Sequence, residues 1–309
     1  MSAEANSDEF GELGPPEYLL YHVLLARDKQ DNKETGRTNT HKLCVLVDRE
    51  LRSEYNRDVL LPTYWYKYGK TLSEADLNTS VAHRPRSDKT FGYSYYPADQ
   101  ISETDFDHLD ADLKDDVFRA VQDVIGKHGD KTVDELEEYQ YKNFRPDDFI
   151  EAYGDLRWYL AQFAIDDEQR TLTKFLGSKQ KSVIEDHLDR MLGTFPSDEY
   201  QEIHYTYLEW DDTIRLLHEQ GHSPRSLLEF TELFIEGLAK TVLRFKHNDN
   251  IPDERLVEWQ EDKEDTLHEL GDRIQRKRQD ALQHREESGM MDRLADSYNE
   301  TILDEINDH

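Results

Sequence analysis

Apolar residues recur at helical spacing along most of this chain, and the pattern is densest between Thr38 and Leu72. Leu43, Leu46, Val47 and Leu51 fall three and four apart, Cys44 and Val45 widen the stripe, and Lys42, Asp48, Arg49 and Arg52 fill the opposite face. That alternation of faces predicts an amphipathic helix. Thr38, Asn39 and Thr40 are each competent to cap its first turn, because a short side-chain oxygen accepts an orphan N–H there. Pro62 ends the regular pattern. Tyr64, Trp65, Tyr66 and Tyr68 then arrive within five residues, ahead of Gly69. Their alternation fits an edge strand, and their length also fits one helical turn. The rings are read either as core or as a recognition surface for a protein partner.

Elsewhere the same periodicity predicts further helices. Residues 1–16 read as an acidic tail expected to be disordered, with Pro15 and Pro16 opening a first helix that carries Tyr18, Leu19, Tyr21, Leu24 and Leu25. Phe91, Tyr93 and Tyr95 alternate over Thr90–Tyr96, which predicts a small β-wing able to pair with Tyr64–Tyr68. A helix from Asp112 carries Val117, Phe118, Val121, Val124 and Ile125, and Thr132 caps a short helix from Val133 to Tyr139. Pro146 opens an aromatic helix. Past residue 165 the chain reads as long helices: Ser178–Leu192, one capped by Ser197 and reaching Gln220, and a strongly apolar one after Ser223-Pro224. A last long helix is expected from Asp253 to Arg285, with Gly289 setting off a short terminal one. The predicted fold is mainly α, a helical amino-terminal domain (17–165) with a small β-wing, followed by a carboxy-terminal helical bundle (166–309).

Charge changes the picture of the surface. Asp and Glu number 68 against 38 Lys and Arg, a formal net charge of −30 over 309 residues. Such self-repulsion is tolerable in concentrated salt, where at ~1 M the Debye length is only ~3 Å. The expectation is a salt-adapted, halophilic acidic protein of the cytoplasm. The single cysteine, Cys44, cannot form an intrachain disulfide, and no run approaches the ~18 apolar residues of a membrane span.

The order of elements carries a resemblance. A capped helix with Lys42-Leu43, a Trp/Tyr segment ending Tyr68-Gly69, a loop with a short extended segment, Leu113–His128 with Gly129, and Thr132-Val133-Asp134-Glu135-Leu136 follow one another. Over residues 17–165 this resembles the Panacea domain, the antitoxin domain related to the SocA-type antitoxins. The resemblance implies a mostly helical fold, and a protein that neutralises or regulates a partner, such as a toxin encoded beside it, by direct contact and not by catalysis. The chain carries Lys70-Thr71 where the family has Pro-Val, and Tyr139 to Phe144 where it places a His and a Trp. On this reading Tyr64, Trp65, Tyr66 and Tyr68 are the partner-binding candidates, with no cofactor.

Two other chemistries are weighed. His218-Glu219-Gln220-Gly221-His222 matches H-E-x-x-H, in which two histidines one turn apart hold zinc while the Glu activates its water; Glu232 or Glu236 would be the third ligand of such a hydrolase. Gly221 and Ser223-Pro224 equally read as the end of one helix and the start of the next. His83, Arg84, Arg86 and Lys89 form a basic cluster that a DNA-binding transcriptional regulator would use, against a strongly negative total charge. Arg273, Arg276, Lys277 and Arg278 form the densest basic run.

Overall fold

The computed structural model describes residues 13–29, 36–84, 94–165 and 177–307, with side chains in those spans except at 165, 177–181 and 286–307. The fold is mainly α, as the periodicity predicts, with a small antiparallel sheet. The chain divides into two compact units, Met1–Pro146 with Val242–Asp262, and Asp147–Thr241 with Lys263–His309. No described helix is long and apolar enough to cross a membrane.

The first unit is built round helix α2, Arg37–Glu54, which packs on α1 (Pro15–Asp28), α3 (Ala111–His128), α4 (Val133–Phe144) and strand β2 (Gly69–Leu72). With neighbours on so many sides, α2 buries every residue from Asn39 to Asp48. This corrects the amphipathic expectation: Lys42 and Asp48 stand on the face assigned to solvent, yet are only 1% and 5% exposed. Burial drives the Asp48 carboxyl up to about 6, against the opposing pull of Arg52 at 3.1 Å. Helix α2 also starts two to four residues earlier than a Thr38–Thr40 cap would place it. Gly36 is the N-cap, its carbonyl accepting from the Thr40 N–H at 3.1 Å, and the Asn39 amide instead donates to the Lys131 carbonyl. The helix α1 begins at Pro15 with Leu13 already buried, so the tail stops short of residue 16.

The Tyr-rich segment resolves as strand β1, Thr63–Tyr66, paired antiparallel with β2 through Thr63–Leu72 and Tyr66–Gly69. Its other edge receives β5, Asn248–Asp249, with Thr63 opposite Asp249 and the Trp65 N–H donating to the His247 carbonyl at 2.9 Å. Among the described residues of the expected Thr90–Tyr96 wing, none pairs with β1. Tyr96–Pro97 (β4) pairs with Ala82–His83 (β3), and Ser94 bridges Gly36. Phe91 and Tyr93 lie outside the described residues. Val242–Asp262 returns to this unit as β5, α9 (Arg244–Lys246) and α10 (Asp253–Glu261), and the units part after Pro146 and not at residue 165 because the helix Asp148–Ile165 packs on helices of the second unit.

In the second unit, α5 (Asp148–Ile165) packs on α6 (Gly177–Thr194) and α8 (Pro224–Leu238), while α7 (His204–Glu219) packs on α8 and α11 (Lys263–Asn307). Its core is aromatic: Phe195 stacks on Tyr207 at 4.0 Å, and the Trp210 indole donates to the Phe230 carbonyl at 3.1 Å. Helix α7 starts at His204 and not at Ser197, because a 3₁₀ turn at Gln201–Ile203 precedes it and Tyr200 turns inward to bond Asp147. After α8 the helix passes through a π-helical turn, Ala239–Leu243. The helix expected from Asp253 divides at Asp262, and α11 then runs through Gly289 without a break. A lone glycine costs a helix only about 1 kcal/mol. Gly237 is where α8 and α11 approach most tightly among the described glycines: a Cβ there would lie 2.4 Å from Leu270 Cδ2.

Candidate functional site

Alternation along β1 sorts the four rings. Thr63 and Trp65 point into the unit and Tyr64 and Tyr66 point out, since successive strand side chains take opposite faces. Trp65 is 2% exposed and packs edge-on against Tyr141 at 5.6 Å, so it is core and not a surface anchor. Tyr64, Tyr66 and Tyr68 are half-buried. Tyr64 meets Tyr66 at 6.2 Å and Trp259 of α10 at 5.0 Å, and Trp259 meets Phe245 at 6.1 Å. Arg244 lies over both of the latter rings, at 4.9 and 5.3 Å, and donates to the Trp259 carbonyl at 3.1 Å. Burial lowers the Arg244 pKa and raises that of Tyr64. The outer face of the sheet is therefore a continuous aromatic platform with a guanidinium set into it. Its downstream half was not among the residues singled out in sequence. The available signal was Trp259, the one aromatic ring in the largely charged helix DERLVEWQE.

Behind the platform, Lys42 fixes the hairpin turn. Its Nζ donates to the carbonyl of Tyr68, to that of Lys70 at 3.4 Å and to Gln140 Oε1 at 2.9 Å. Gly69 adopts φ +89°, and a Cβ there would sit 2.6 Å from Gln140 Oε1 and 3.0 Å from Lys42 Nζ. Glycine is the residue that meets both demands, a left-handed backbone and room for an ammonium group.

A second cluster ties α2 to the loop after β2. His41, 3% exposed, contacts Thr71 Oγ1 through Nδ1 and Glu74 Oε1 through Nε2, both at 2.8 Å. Burial lowers the His41 pKa, so at neutral pH the ring is uncharged; donating from Nε2–H to the carboxylate leaves Nδ1 to accept from the Thr71 hydroxyl. Tyr95 also donates to Glu74, and Arg37 sits 3.2 Å from it. Burial alone would raise the Glu74 carboxyl, but the hydrogen bonds from His41 and Tyr95 and the nearby Arg37 charge hold it at about 2. A carboxyl depressed on folding stabilises the fold above its unfolded pKa and ceases to do so as pH falls through the folded value. Glu74→Gln should thus lower the melting temperature at neutral pH, with the gap to wild type closing between about pH 4.5 and about 2. Paired melts across that window check this, and a gap that persists at the acid end would contradict it.

Of the basic cluster, Arg84 is exposed but held in place by neighbours. It donates to Thr79 Oγ1 at 2.7 Å, stands 3.9 Å from Glu74 and lies over the Tyr95 ring at 5.9 Å. His83 is exposed, and Arg86 and Lys89 lie outside the described residues.

The H-E-x-x-H match ends a helix. Gln220 is the C-cap of α7, Gly221 has φ +76°, the His222 N–H donates to the Leu217 carbonyl at 3.1 Å and the Gly221 N–H to the His218 carbonyl at 3.0 Å. This is the paired bonding of a Schellman termination. Ser223 then caps α8, accepting from the Ser226 N–H, with Pro224 in its first turn. His218 is buried within the helix and His222 lies past its end, so they do not share a helical face. Glu232 is held by Arg157 at 3.1 Å and Glu236 by Lys240 at 2.7 Å. Among the described residues no three His, Cys, Asp or Glu side chains converge as a metal site.

Compared with known proteins, the chain matches no family model, no curated protein and no solved structure.

Proposed function

We propose that this chain is a protein-interaction module that holds a partner protein against the outer face of its β-hairpin, neutralising or regulating it as an antitoxin does. The observation that carries this reading is the platform of Tyr66, Tyr64, Trp259 and Phe245 with Arg244. Aromatic rings and arginine are the side chains that dominate binding energy at interfaces, and half-buried rings on a braced sheet lose little conformational freedom on docking. The order of elements shared with Panacea-type antitoxins points to the same role. The charge of −30 supports a salt-adapted cytoplasm as the setting. There an apolar contact is favoured over a charged one, because concentrated salt screens ion pairs and leaves apolar burial intact.

The test is co-purification with the product of the adjacent gene in molar salt, using Tyr66→Ala and Trp259→Ala. Each should weaken the complex at least tenfold, about 1.4 kcal/mol or more, while shifting the melting temperature little. Unchanged binding by both variants would remove the platform from the interface.

A further inference from the structure

On the second unit, separate from the hairpin and independent of its proposed role, helices α8 and α11 enclose a groove. The two helices touch closely at Gly237 and Leu270, and from there towards Ser226 and Asp280 the space between them opens into a cavity of about 310 Å³. A smaller cavity on the Gly237 side shares Leu233 and Arg273 with it, so the two are continuous along the helices. From Ser226 to Lys240 the groove follows α8 and its π-helical continuation for roughly 20 Å, at 1.5 Å per residue.

The lining has two characters. On the α8 side Phe230 and Leu233 form an apolar floor. On the α11 side Arg273, Arg276 and Lys277 recur at three and four residues, so one helical face brings all three cations to the rim. Arg273 has Glu269 at 4.0 Å, whereas the acids beside Arg276 and Lys277 do not answer them. Glu229 is taken by Arg225 at 3.2 Å, and among the described residues Asp280 forms no ion pair with Arg276 or Lys277. Arg276 reaches only the backbone carbonyl of Asp272, and among the described residues neither Arg276 nor Lys277 meets a carboxylate. In a chain with 68 acidic against 38 basic residues, two adjacent cations without acidic partners beside an apolar floor are an exception to the surrounding charge.

We infer that this groove binds an acidic amphipathic helix of a second protein. Apolar side chains spaced at one helical face would enter over Phe230 and Leu233, and carboxylates on its flank would meet Arg276 and Lys277. The length matches about four helical turns, and at the Ser226–Asp280 end the two cations that meet no carboxylate, Arg276 and Lys277, favour an acidic helix over a basic or neutral one.

The test is fluorescence anisotropy with the full chain and a panel of labelled synthetic helices, each bearing Leu at one face and Glu or Asp beside it. Matched probes replace the acids with Gln or the leucines with Ser, and a labelled single-stranded oligonucleotide is run beside them. Wild type should bind at least one acidic amphipathic helix, and both matched probes at least tenfold more weakly. The double variant Arg276→Glu/Lys277→Glu, and separately Leu233→Asp, should lose tenfold or more with an unchanged far-ultraviolet spectrum. Failure of every acidic helix to bind wild type, or equal binding by the double variant, would overturn the inference. Tighter binding of the oligonucleotide, lost in the double variant, would reassign the groove to nucleic acid. Sedimentation showing wild-type dimers that the double variant abolishes would reassign it to a second copy of this chain.

Discussion

Replacing Lys42 by Ala is expected to destabilise the first unit by about 3–5 kcal/mol, because it leaves buried acceptors without their donor. The carbonyls of Tyr68 and Lys70 and the amide oxygen of Gln140 all accept from this one ammonium group. The 1% exposure of Lys42 leaves little opportunity for water to replace it. Lys42→Met keeps most of the packing volume and also removes the cost of burying a charge, so its loss should be smaller, about 1–3 kcal/mol. Denaturant titrations at fixed salt, with hydrogen exchange on residues 63–72, would show the hairpin amides losing protection first in Lys42→Ala. Equal stability of the alanine variant and wild type would mean that the turn is held by something else.

Trp65→Ala is expected to cost a similar amount, about 3–5 kcal/mol, through the cavity left against Tyr141. The comparison with Tyr66→Ala is the informative one, since the two residues are neighbours on opposite faces of one strand. Trp65→Ala should lower the melting temperature sharply and lose partner binding only as the unit unfolds. Tyr66→Ala should retain the fold and lose the partner. Two variants with the same melting temperature would erase the distinction between inward and outward faces.

What could be read from the chain in advance was local. The Thr132 cap with Glu135, Ser223-Pro224 at the head of α8 and Gly221 at the end of α7 are decided within four or five residues, and all are present. The burial of Lys42 and Asp48 was not legible, because it depends on how many other elements surround α2, and a charged residue opposite an apolar stripe looks solvated in sequence. The platform was half legible. Tyr64 and Tyr66 announce themselves as a cluster, whereas Arg244, Phe245 and Trp259 reach it only through a two-residue strand far along the chain. Alternation over Thr90–Tyr96 suggested an extended segment, but alternation carries no information about which strand it will pair with.

That two-residue strand sets a clock on synthesis. Thr63 emerges from the ribosome 186 residues before Asp249, the residue it faces across the sheet. At roughly 5–20 residues per second the wait is on the order of 10–40 s. Throughout it, the edge of β1 that will receive Asn248 and Asp249 has no strand to pair with, and Tyr64 has no Trp259 to rest on. The nascent chain therefore acquires the complete aromatic face only when translation has passed residue 259, late in its 309 residues.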